Sequence, residues 1–248
     1  MLDVSRLWNF NGVFVMKKQR WGTFIPYFGA KFMRAPKYPR ALYDTIIEPF
    51  AGAAGYSMRH PDRNVILIDK SEIICGIWDY LIQVSSGEIL ALPLMEPGDS
   101  VRDLPICQEA QWLLGFWINQ GSATPKVTMG GRASNRKFGT WGEAPRARIA
   151  QQVNYIRHWR VIHGDYTEAP SVRATWFIDS PYKDQGKQYK YSVRSYEELA
   201  QWCRSRNGQV MVCESQGADW LPFEPVTTVV GATHRITQEV LWVGGDGQ

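Results

Sequence analysis

The chain has 248 residues, of which 44% are hydrophobic. That suffices for one large domain, or one domain with a sizeable insertion, and excludes global disorder. A formal charge of +4 names no partner by itself, and no apolar run approaches the roughly 18 residues of a membrane span.

Cys75, Cys107, Cys203 and Cys213 have no CxxC spacing and no histidine at ligand distance in sequence. They read as reduced thiols of a cytosolic protein, with no metal site. The 11 Trp and 11 Tyr are many for this length, which leaves rings able to stack on bases.

Residues 1–20 lack a signal-peptide apolar core with a small-residue cleavage site and read as an N-terminal extension. The run Trp21 to Lys31 contains a tight aromatic turn, Pro26-Tyr27-Phe28-Gly29-Ala30-Lys31. It reads as a loop packed on the core or as a ligand loop. Thr45 to Glu48 is a strand ending in an acid, followed by the small-residue turn Pro49-Phe50-Ala51-Gly52-Ala53-Ala54-Gly55. Gly52 and Gly55 allow a sharp turn and a close backbone approach to a ligand. A helix over Ala53 to Arg59 would present its N-terminus to a negative group. The turn is neither GxGxxG nor a phosphate loop, so a dinucleotide or nucleoside triphosphate is not the first choice.

Asn64 to Asp69 is a second strand ending in an acid. Asp69 suits a ribose diol, or else Asp69 or Ser71 caps the helix that follows over Glu72 to Val84. From Ser85 to Arg160 the α/β rhythm lapses. One helix is expected over Gln108 to Gln120, and the stretch after it is basic. Between Gly121 and Arg160 there are eight bases against one acid, Glu143. Such a stretch is either a solvated loop or a surface for phosphates and base edges. Lys126, Arg132, Asn135, Arg136, Lys137, Arg146 and Arg148 are its candidate nucleic-acid contacts.

The core resumes with Arg160-Val161-Ile162-His163-Gly164-Asp165-Tyr166, again a strand leading to an acid. Trp176 to Ile178 is a short buried strand that ends in Asp179-Ser180-Pro181-Tyr182. Proline stops the strand and leaves one carboxylate, backbone carbonyls and a ring at the carboxyl edge of a sheet. Lys183 to Ser192 reads as a flap. Tyr196 to Arg206 is an amphipathic helix, Gln209 to Glu214 a strand, and 226–230 with 236–243 a closing antiparallel pair.

PYFGAK, EPFAGAAG, Asp69 after a strand, HGDY and DSPY, in this order, resemble the Dam-like (D12 class) DNA adenine-N6 methyltransferases. The likeness covers roughly residues 24–243. It implies an α/β fold: a Rossmann-like class I methyltransferase sheet, mostly parallel with one antiparallel edge strand. Residues 21–84 and 160–248 would form the catalytic domain, and 85–159 an inserted, mainly helical and loop target-recognition region.

The resemblance also implies S-adenosylmethionine as cofactor. Tyr27 and Lys31 would lie near its methionine end. Glu48, Phe50, Ala51, Gly52 and Gly55 would line its loop. Asp69 would hold its ribose, and Asp165 and Tyr166 would flank its adenine. Asp179, Ser180, Pro181 and Tyr182 would be the catalytic corner, with Tyr182 offering a face to a flipped adenine. The implied partner is double-stranded DNA, for a monomer or weak dimer in the cytoplasm of a bacterium or phage-infected host. Ser180 departs from the family's usual proline. RNA or cytosine-N4 methylation, and a catalytically silent nucleic-acid-binding protein of the same fold, are the competing expectations.

Overall fold

The computed structural model describes residues 21–118, 121–131, 140–184, 189–230 and 236–246. The expected N-terminal extension therefore lies outside the described residues. Seven strands form one sheet in the order β3-β2-β1-β4-β5-β7-β6. They are β1 Thr45–Glu48, β2 Asn64–Asp69, β3 Arg160–His163, β4 Ala174–Ile178, β5 Gly208–Ser215, β6 Glu224–Val230 and β7 Ile236–Gly245. The first five pair in parallel. β7 runs antiparallel to both neighbours, tucked between β5 and β6 at that edge. The fold is Rossmann-like α/β.

Period-2 alternation sorts the strand side chains onto two cores. Ile46, Val65, Leu67, Phe177, Met211, Cys213 and Leu241 face one core. Ile47, Ile68, Trp176, Ile178, Val210, Val212 and Trp242 face the other. All eight residues of β5 are buried, which fits a strand covered on both faces.

The second core is closed by α5, Tyr196–Arg204, through Leu199, Ala200 and Cys203. The first is closed by α1, Glu72–Gln83, and by helices from the expected insert. Those are α2 Ser86–Ala91, α3 Gln108–Ile118 and α4 Glu143–Gln152. Leu113, Leu114, Phe116, Trp117, Trp141 and Ile149 share one continuous core with Phe24, Trp78 and Met211. The 85–159 stretch is thus part of the β2-to-β3 crossover and supplies one helical layer of the sheet.

Two expectations need correction. The helix over Ala53 to Arg59 is only a 3-10 turn, Ser57–Arg59. Gly52 and Ala54 are both left-handed, with φ of 43° and 48°, so the chain doubles back where a helix would begin. Its presumed N-terminal anion site does not exist. Secondly, α2 and α4 stand where the composition read as loop. Ser85 and Glu88 form a capping box for α2, and Pro145 sits within the first turn of α4, where no intrahelical N–H is needed.

Because 85–159 shares the main core, Leu114→Ala should lower the stability of the whole chain by about 2–5 kcal/mol. Thermal or urea unfolding should remain one transition by every probe. A separate early transition, leaving β4–β7 at wild-type stability, would contradict the shared core.

Candidate functional site

The sheet order decides what meets at its carboxyl edge. Asp165 follows β3, Asp69 ends β2, Glu48 ends β1 and Asp179 follows β4. The spatial order β3-β2-β1-β4 puts these four acids in a row along one edge. At ~4.8 Å per strand the row is roughly 14 Å long. A cleft of about 640 Å³ runs over it, lined by all four acids and by Tyr27, Lys31, Phe50, Ala51, Gly52, Gly55, Tyr166 and Pro181. That volume suits a small organic ligand. Every expected cofactor residue is among its walls.

Asp179 carries the main electrostatic event. Lys31 Nζ donates to both its oxygens, at 2.5 and 2.7 Å, and to the Gly29 carbonyl at 3.2 Å. Lys31 is only 4% exposed. Burial alone would lower the Lys31 ammonium, but Asp179 reverses this and holds it well above its ordinary value. Burial pushes the Asp179 carboxyl up, and the same ammonium opposes that rise. Three residues on, Arg34 bonds Glu239 of β7 at 2.8 Å, and Tyr38 Oη donates to the same carboxylate. Two acid–base pairs thus tie the 31–38 segment to β4 and β7.

Gly55 has a different use from the one its motif suggests. A Cβ there would lie 2.6 Å from the Phe32 nitrogen and 2.7 Å from the Lys31 nitrogen. The close approach is made by the chain's own backbone, and it delivers Lys31 to Asp179. Gly52 lies under the Tyr27 ring, its N–H donates to Asp69 Oδ2, and its carbonyl accepts from Trp78 Nε1.

Asp69 Oδ1 also accepts from the Ser71 N–H at 2.8 Å. Burial pushes Asp69 up, and these two amides restrain the rise. Ser71, not Asp69, caps α1. Each Asp69 oxygen keeps acceptor capacity, since a carboxylate has about four lone-pair sites.

Asp165 is more heavily engaged. Thr167 N–H and hydroxyl donate to Oδ1 at 3.0 and 2.9 Å, and Lys70 pairs with Oδ2. Burial would raise it, but Lys70 and Thr167 outweigh that and hold it below its ordinary value. Phe50 and Tyr166 stack at 5.4 Å, a flat aromatic end wall.

Glu48 is 2% exposed, and its Oε1 accepts from the Ser57 N–H at 2.7 Å. Burial pushes it up to about 8, against the pull of Ser57. A neutral carboxylic acid therefore sits in the cleft at neutral pH.

Two members of the DSPY corner lie off the cleft. Ser180 is 2% exposed, and its hydroxyl and that of Tyr182 are buried without partners among the described residues. Lys31 Nζ stands 5.0 Å from the Tyr182 ring centroid, and neither Ser180 nor Tyr182 lines the cleft. The corner is held from behind. Tyr196 Oη donates to the Pro181 carbonyl, and Glu214 accepts from the Lys183 N–H and from Trp220 Nε1. Sequence reasoning missed Glu214, Tyr196, Glu239 and Tyr189, none of which stands in a motif. Only Glu214, an acid at a strand end, carried a visible signal.

The expected nucleic-acid contacts divide. Arg132, Asn135, Arg136 and Lys137 lie outside the described residues. Lys126 is exposed. Arg146 is bound to the Leu92 carbonyl, and Arg148 to the Thr23 carbonyl and Gln152. Arg157, counted with them in the basic stretch, bonds the Ile82 and Val84 carbonyls. These three guanidiniums hold the helical layer together, so that part of the basic stretch is spent inside the fold. Among the described residues no group of three His, Cys, Asp or Glu could hold a metal ion, and no helix is long and apolar enough to cross a membrane.

No protein-family model matches the chain, and no curated protein matches its sequence.

The raised Glu48 gives a signed pH dependence. The folded chain keeps this proton to about 8, whereas an unfolded glutamate releases it near 4.5. Its stabilising contribution is complete below 4.5 and is lost as pH rises through about 8. Glu48→Gln should therefore flatten the fall in thermal midpoint between those limits and leave the variant more stable than wild type at alkaline pH. Parallel curves for the two proteins would contradict a neutral Glu48.

Proposed function

We propose that this chain transfers a methyl group from S-adenosylmethionine to the exocyclic N6 amine of an adenine extruded from DNA. The observation that carries the reading is the order of the four acids along the sheet edge. Asp165, Asp69, Glu48 and Asp179 succeed one another as adenine, ribose, sulfonium and acceptor amine would in an extended ligand and its partner. The roughly 14 Å row matches that span. The Phe50–Tyr166 stack provides an apolar surface at the adenine end, and Asp69 keeps lone pairs for a diol. Asp69, the one of the four acids that is neither neutral nor ion-paired among the described residues, favours a cationic ligand such as one carrying a sulfonium and an ammonium. The residues therefore fit the cofactor, which supplies an electrophilic methyl group.

The chain's own work is done at Asp179. An exocyclic amine is a poor nucleophile because its lone pair is delocalised into the ring. Asp179 accepts hydrogen bonds from the amine, which draws the nitrogen toward sp³ and frees the lone pair. The same carboxylate stabilises the positive charge that develops and is placed to accept the departing proton. Lys31 opposes the upward pull of burial on that carboxylate and fixes its rotamer by gripping both oxygens. Its ammonium stands where the amine hydrogens must arrive, so binding of the acceptor shifts Lys31 off at least one oxygen. Pro181 and Tyr196 hold the corner rigid, and positioning supplies much of the remaining rate.

Labelled-methyl transfer to unmethylated duplex DNA, followed by nucleoside analysis, should yield N6-methyladenine. Asp179→Ala should cut the rate by at least about 100-fold while cofactor binding persists. Lys31→Met should move the acid limb of the pH–rate profile upward, because burial then raises Asp179 unopposed; Lys31→Arg should largely restore it. Absence of N6-methyladenine with the wild-type protein would overturn the proposal.

A further inference from the structure

After Tyr182 the chain turns away from the cleft and then returns to it. Residues 189 to 194, Tyr-Lys-Tyr-Ser-Val-Arg, all line the cleft that holds Asp179. Tyr189 is locked against the opposite wall. Its hydroxyl donates to the Phe28 carbonyl at 3.4 Å, and its ring stands 6.2 Å from Tyr27 and 6.0 Å from Phe28. A Cβ on Gly29 would come within 2.5 Å of that hydroxyl, so the left-handed Gly29 makes room for it. Tyr191 is 37% exposed, with Lys190 Nζ 5.1 Å from its ring centroid. Lys190 and Arg194 are exposed and make no ion pair among the described residues. Arg146, Arg148 and Arg157, by contrast, each bond at least one backbone carbonyl. Free positive charge, exposed aromatic surface and the reactive carboxylate thus converge on the 189–194 segment.

We infer that residues 189–194 are the DNA-facing wall of the cleft. Lys190 and Arg194 hold phosphates beside the acceptor nucleotide, and Tyr189, not Tyr182, which lies off the cleft, gives the extruded base its aromatic face. Both phosphate contacts are sequence-independent, so they position the strand and leave target choice to other residues. Tyr189 acts as a positioning residue: a ring pinned on Phe28 costs little entropy when a base stacks on it. This inference rests on the functional reading above.

The test uses the full chain and a short adenine-containing DNA duplex. Fluorescence anisotropy between about 50 and 200 mM salt gives the slope of log K against log[salt]. The double variant Lys190→Ala/Arg194→Ala should bind more weakly, with a slope shallower by about two, since each phosphate contact contributes about 0.9. Tyr189→Ala should lower methyl transfer about ten-fold or more at unchanged cofactor affinity, and Tyr189→Phe should restore it. Wild-type slope and affinity in the double variant, or full transfer by Tyr189→Ala, would overturn the inference while the wild-type activity still stood. A wild-type protein that neither binds DNA nor methylates it would overturn the functional reading and this wall with it.

Discussion

A buried ammonium gripping both oxygens of a part-buried carboxylate ties the first described loop to the end of β4. Neither charge is tolerable there alone, since removing one partner of such a pair costs about 3–5 kcal/mol. The geometry around the site follows from this demand. Gly55 gives up its side chain so that the Lys31 backbone can approach, and Arg34, one helical turn beyond, repeats the arrangement with Glu239. Glu48, which the cation does not grip, answers the same low-dielectric surroundings by keeping its proton. One cleft therefore holds a carboxyl group gripped by an ammonium and a carboxylic acid left neutral, on adjacent strands.

Much of the fold was legible because buried strands announce themselves. Alternating or continuous apolar runs at 45–48, 64–69, 176–178 and 209–214 all became strands, and the acids at the ends of the first three line the cleft. The helix expected after the glycine turn was not legible as absent. Small residues there allowed both a helix and the left-handed reversal at Gly52 and Ala54, and tertiary packing against Lys31 decided between them. α2 and α4 were hidden by polar composition, because their stability comes from burying a few residues such as Ile89 and Ile149.

Charge was the least readable feature. A count of bases in 121–160 cannot distinguish a guanidinium that faces a phosphate from one that bonds the chain's own carbonyls, and Arg146, Arg148 and Arg157 each bond at least one such carbonyl. The DSPY corner shows the same limit. Its carboxylate lies in the cleft as its position implied, but its tyrosine lies off the cleft, partly buried against the main core with Lys31 over its ring. The aromatic surface that remains at the mouth comes from a segment with no motif at all.

In the proposed function one extended ligand lies along the row of acids in a set direction. A crystal structure with S-adenosylhomocysteine should show the adenine between Phe50, Tyr166 and Asp165, the ribose hydroxyls on Asp69, and the sulfur toward Asp179. The ligand lying in the reverse direction, or bound outside this cleft, would contradict it.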